Sequence, residues 1–156
     1  MNTYMPANDA PSAKLATCFV TIGEQRYAML MAKDFEGKGS VKTAEVPTLG
    51  RVVTGVKPVG MTIKFSMTVY KCTEIFDKVL EDYKNTGLMP SFDIQTTSED
   101  PATSVGRSTK IYTDCVLDGD VLLSMFDADG EFIEQEIEGY AQDFSRPEMY
   151  VNPSYM

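Results

Sequence analysis

Glu134, Glu136 and Glu138 stand at alternate positions, so on an extended chain they point to one face, about 6.6–6.8 Å apart. Carboxylates at such separations can divide general acid and general base work, which is the arrangement of a glycoside hydrolase. Against this, three glutamates in a row on one sheet face, in a chain with no tryptophan to serve as a sugar platform, more often form a solvated acidic stripe. Such a stripe also acts as a wall that keeps a polyanion from adhering, because fixed negative charge removes the phosphate contacts that generate non-specific affinity. Asp127, Asp129 and Gly130 place oxygen ligands in a turn, but the glycine falls fourth where a calcium loop needs it sixth. A turn in which Asp and Gly supply the unusual backbone angles is the better account.

The remaining chemical repertoire is thin. Histidine is absent, which removes Ser-His and Cys-His nucleophilic machinery, His-ligated zinc and imidazole switching. Cys18, Cys72 and Cys115 are odd in number and widely spaced, so neither a disulfide framework nor a thiolate metal site is expected. No glycine cradle of the nucleotide-binding kind lies between strand and helix. The expectation is no catalytic residue, no cofactor and no metal. Fourteen Lys and Arg against 23 Asp and Glu give a net charge of −9, unfavourable for tight nucleic-acid binding. The N-terminus lacks the basic start and apolar run of a signal peptide, and no stretch reaches about 18 apolar residues. A soluble intracellular protein is expected.

The elements that must position these residues are mostly strands. A length of 156 residues and 43% hydrophobic content suit one domain, which at this size typically buries about 68–70% of its unfolded surface. The hydrophobic pattern predicts an N-terminal arm over 1–13, a β core over 15–143 and a C-terminal arm over 144–156. Within the core, Leu15–Ile22 and Arg26–Lys33 read as a hairpin around Gly23-Glu24. Gly37 and Gly39 are expected to break the chain before a short strand Val41–Val46. Strict alternation over Gly60–Lys71 marks a strand with one core face. The period then changes to helical over 73–86, with Thr73 as N-cap, and Gly87 and Pro90 ending the helix. Ser91–Thr97, Ser108–Leu117, Val121–Asp127 and Glu131–Asp143 complete the strands. The fold class is mainly β with one helix: a small antiparallel barrel or sandwich with a flanking α-helix.

Between Val46 and Gly60, Pro47, Gly50, Gly55 and Pro58 punctuate Leu49, Val52, Val53, Val56 and Val59. The stretch is too broken for a regular strand and too apolar for an idle loop. Either it folds onto its own core as an Ω-loop, or another molecule covers it, since monomers seldom leave such patches in water. Ten methionines, several at strand positions, read as adaptable core filler.

At this loop the sequence resembles the tail-tube protein family of contractile phages, in the group found in PBSX-like defective prophages. The resemblance is carried by Glu45-Val46-Pro47, Gly50, Thr54-Gly55, Lys57 and Gly60, by Gly87-Leu88-Met89-Pro90-Ser91-Phe92-Asp93-Ile94, by Asp114-Cys115-Val116-Leu117, and by the acidic run into Tyr140–Phe144. It covers roughly residues 15–144, and departs from the pattern at Met61, where a Trp follows the glycine in other members, and in a longer tail after Phe144. It implies a subunit of hexameric rings stacked into a hollow tube inside a contractile sheath, in a phage tail or an R-type bacteriocin-like particle assembled in the bacterial cytoplasm. The implied partners are further copies of the chain, the sheath protein, and baseplate and tail-terminator proteins, with DNA or ions as passing cargo. Leu49, Arg51, Val52, Val53, Val56 and Lys57 are the expected inter-subunit contacts, with Glu134, Glu136 and Glu138 facing the lumen. Two other readings stay open: a monomeric β-barrel that binds a small apolar ligand, and a carboxylate-based hydrolase built on Glu134 and Glu136.

Overall fold

The computed structural model describes residues 4–156; the first three residues of the expected N-terminal arm lie outside the described residues. Eight strands and one helix follow a 3-10 turn at Ala7–Asp9: β1 (Ala16–Ile22), β2 (Gln25–Ala28), β3 (Ala32–Val46), β4 (Gly55–Tyr70), α1 (Ile75–Thr86), β5 (Phe92–Glu99), β6 (Arg107–Leu117), β7 (Glu134–Ala141) and β8 (Asp143–Glu148). All pairings are antiparallel, in the order β2-β1-β5-β6-β7-β4-β3, with β8 also on β6.

The sheet folds into two layers at β6. Its first half pairs β5 and β8, while Val116 and Leu117 pair Tyr140 and Gly139 of β7. The bend falls at Asp114, whose φ of 52° is the one left-handed non-glycine backbone among the described residues. Asp tolerates that conformation better than most residues, and the Asp114 N–H donates to Asp93 Oδ1 at 3.0 Å.

The inward faces follow from alternation. Ile63, Phe65, Met67 and Val69 on β4 and Gln135, Ile137, Gly139 and Ala141 on β7 are buried, facing Val20, Phe92, Ile94, Tyr112 and Cys115 of the other layer. Phe65 meets Phe92 edge-on at 5.9 Å, and Phe92 meets Phe76 of α1 at the same distance. Truncating such a ring to Ala costs about 3–5 kcal/mol. The helix is tied to the end of β4 by Lys71–Asp77 at 2.5 Å and ends where Gly87, with φ 75°, donates its N–H to Tyr83 O. Its N-cap is Glu74, without a side-chain cap bond, so Thr73 does not play the expected part.

Three expectations are corrected. Gly37 and Gly39 do not break the chain: β3 runs through both for 15 residues. Its partner β4 begins at Gly55, inside the stretch expected to be irregular, and accommodates Pro58 at a register shift opposite Lys42 and Thr43. A bulge is where a residue without an N–H donor can sit in a strand. Val121–Asp127 forms no strand. Asp118 N–H still bonds Glu138 O, but Gly119 then takes φ 119° and steers the chain off the β7 edge.

Candidate assembly surfaces

The β3–β4 pair outgrows the body. β7 accompanies β4 only as far as Ile63↔Ala141, so Ser40–Val46 and Gly55–Thr62 pair with each other alone. At about 3.3 Å per residue this arm projects roughly 25 Å. Its side chains keep the alternation of the buried half: Val41 and Met61 continue the core-facing side past Ile63, Val59 is the extra residue of the bulge, Val56 follows beyond it, and all four are exposed. At the tip, Leu49 is 101% exposed, Val52 99% and Val53 69%. The tip therefore does not fold back as an Ω-loop. The Arg51 guanidinium lies over Gly55 within the same loop, and neither Arg51 nor Lys57 has an ion pair among the described residues.

Glu134, Glu136 and Glu138 share the outward face of β7, opposite Tyr70, Thr68 and Ser66 of β4. β3 adds Asp34, Glu36 and Lys38 to the same face. The three glutamates are not equivalent. Glu134 binds Lys33 Nζ at 2.9 Å, whereas a hydrogen bond with Glu138 and the charge of Glu138 raise the Glu136 pKa above the ordinary carboxylate range. Asp34 and Glu36 belong to this surface although sequence alternation alone did not find them; the lost signal was the continuity of β3 through Gly37. No group of three metal-ligating side chains occurs among the described residues.

A third surface joins both ends of the chain. Asp9 accepts from Ser104 N–H and Ser104 Oγ, each at 2.9 Å, and Ser12 N–H donates to Asp100 Oδ2. From the other end, Val151 N–H donates to Val105 O, Tyr150 OH donates to Ser98 Oγ, and Glu148 pairs Arg107 at 2.7 Å. The loop between β5 and β6 thus holds both terminal segments, and β8 carries the second one along β6.

Residues 3–148 match the family described as phage tail tube protein. The chain belongs to this family. It is 31% identical over 120 residues to the phage-like element PBSX protein XkdM of Bacillus subtilis strain 168, covering 77% of this chain and 81% of that one, and 30% identical over the same span to the uncharacterized protein YqbM of the same organism. Among solved structures, the fold is similar to chains in the baseplate of the anti-feeding prophage, with a TM-score of 0.61 at 7% identity over 84% of this chain and 91% of that one. It is also similar to chains in the sheath/tube terminator of an extracellular contractile injection system, with a TM-score of 0.58 at 16% identity over 84% and 93%. The fold class read from the sequence, mostly antiparallel β with a single helix, is that of these assemblies, and the resemblance to the PBSX-like group holds.

Proposed function

We propose that this chain is the tube subunit of a contractile tail, a structural protein without enzyme activity that forms hexameric rings stacked into a tube. The observation that carries the reading is surface. The chain exposes 11196 Å², whereas a folded monomer of 17.3 kDa exposes about 7,800 Å² by size scaling, so the fold buries roughly 55% of its extended surface instead of about 68–70%. The surplus, about 3,400 Å², is of the size of an obligate interface, and the uncovered β3–β4 arm contributes to it through Leu49 and Val52, both fully exposed.

In this reading the arm reaches the next ring. Leu49, Val52, Val53 and Val56 are covered there, and Arg51 and Lys57 meet acidic groups of the neighbour, which offsets locally the repulsion between copies of charge −9. Stacking of this kind is head to tail and open-ended. The face bearing Glu134, Glu136 and Glu138 lines the bore, where it keeps DNA or other anions from adhering. The sheath, baseplate and tail-terminator proteins are the companions of such a tube, and a bacterial cytoplasm is where it assembles. Negative-stain microscopy of concentrated protein tests this: rings or rods of uniform bore are the expected result, and a particle of one monomeric mass at every concentration contradicts it. That second outcome is the one required by a small-ligand carrier, for which the space between the sheets, filled by Phe65, Met67, Phe92 and Phe76, offers no support.

A further inference from the structure

We infer that residues 149–156 act as a strap: closed over the loop between β5 and β6, they hold residues 6–12 on the body of the subunit, so that the two segments are kept or released together. Nothing in this depends on the ring reading above.

The strap begins where the family match ends, after residue 148. Residues 149–156 carry no charge and include two tyrosines, yet none of them is buried. Apolar burial therefore does not hold the strap in place. Polar contacts do. Val151 N–H donates to Val105 O at 2.8 Å and Tyr150 OH donates to Ser98 Oγ at 3.1 Å, while the Glu148–Arg107 pair fixes the point at which the strap leaves β8. Pro153 then turns the chain, with Met156 N–H on Pro153 O at 3.2 Å, and the turn brings the Tyr155 hydroxyl to Asp9.

The segment it meets is equally poor in buried surface. No residue from 4 to 15 is buried, so this stretch also depends on polar partners, and they converge on one side chain. Asp9, at the end of the 3-10 turn, accepts from Ser104 N–H and Ser104 Oγ and also meets Tyr155. These donors, Ser104 foremost, hold its carboxyl below the usual carboxylate range. Ser12 N–H adds a bond to Asp100 Oδ2 at 3.0 Å.

The loop between the two segments is braced by itself, because Asp100 also takes Ala102 N–H on its other oxygen and Thr103 Oγ1 donates to Asp100 O. It is a platform with two tenants. Ser98 and Val105 serve the strap, and Asp100 and Ser104 serve the other segment. With Tyr155 and Asp9 bridging the two across that platform, order in either segment favours order in the other, and such coupling is reciprocal. A companion that draws off the strap thereby loosens residues 6–12.

Amide hydrogen exchange of the full chain, read peptide by peptide by mass spectrometry, tests the coupling in both directions. Val151→Pro/Tyr155→Phe removes two hydrogen bonds of the strap, and exchange over 7–12 should quicken by about tenfold. Asp9→Ala should quicken exchange over 150–156 by a similar factor. Met156→Ser, at a side chain that stands exposed, should change neither, and residues 63–69 of β4 should keep their protection in every variant. Exchange over 7–12 that ignores the first substitution, or exchange over 150–156 that ignores the second, overturns the inference. Loss of protection in β4 overturns it as well, since the strap would then belong to the global stability of the chain. None of these results touches the tube reading, which microscopy tests separately.

Discussion

The Tyr112 hydroxyl of β6 occupies the place over Gly37 of β3 where a Cβ would stand. The tyrosine ring also packs on Phe35, with centroids 5.6 Å apart, so this one contact seats the root of the long hairpin on the opposite layer. Gly37→Ala should therefore destabilise the fold by about 1–3 kcal/mol, the usual cost of overfilling a packed site. Gly39→Ala, with nothing near its Cβ position, should be neutral or slightly stabilising. Thermal unfolding of the two variants separates them, at about 2–4 °C per kcal/mol for a chain of this size. Equal midpoints would show that Tyr112 yields freely.

Replacing Glu136 and Glu138 by lysine should leave rods intact, because both side chains stand outside the core, while slowing cargo passage and lowering the infectivity or killing titre of the particle. Positive charge within about 8 Å of a passing phosphate attracts it at physiological salt. Glu134 is left unchanged in this variant because it holds Lys33. An unaltered titre would remove these residues from the bore.

The thiols should divide one against two. Cys72 is exposed, while burial pushes the Cys18 thiol up to about 11 and Cys115 to about 12. The thiolate is the reactive form, so a maleimide near neutral pH should modify Cys72 alone in the folded chain and all three after denaturation. Labelling of Cys115 at the rate of Cys72 would mean that the core opens readily.

Glu136 supplies a pH dependence of known sign. Its pKa is raised from 4.5 by the Glu138 carboxylate, so above 4.5 the folded state binds the proton more tightly than the unfolded state does. This contribution to stability is present at lower pH and is lost as pH rises through the folded-state value. Glu136→Gln should flatten the fall in unfolding midpoint just above pH 4.5. A profile unchanged by the substitution would show that the pair does not share a proton.

Much of this molecule was legible in its sequence because alternation and helical period report one buried face. Alternation over Gly60–Lys71 marks the central part of β4, where Ile63, Phe65, Met67 and Val69 are buried while Met61 stands 55% exposed, and the helical period over 73–86 marks α1. What escaped was set by contacts distant in sequence. Gly37 read as a breaker, since nothing local reveals a tyrosine 75 positions later that requires a bare backbone there. Pro58 read as an end to regular structure because the bulge that tolerates it is a property of the pair with β3. Val121–Asp127 has strand composition, and composition cannot supply the paired edge that a strand needs. Leu49, Val52 and Val53 were singled out by being too apolar for a loop, and the structure adds the extended arm that carries them.

The account turns on the hairpin tip. Sedimentation velocity over a range of concentrations, comparing the unmodified chain with Leu49→Asp/Val52→Asp, tests it most directly. Both substituted side chains are fully exposed in the subunit, so the variant should fold with an unchanged melting temperature. The unmodified chain should sediment as rods of increasing length, and the variant should stop at single rings or below. Rods of equal length from both proteins, or a single monomeric species from the unmodified chain throughout, would contradict the claim that this arm joins one ring to the next.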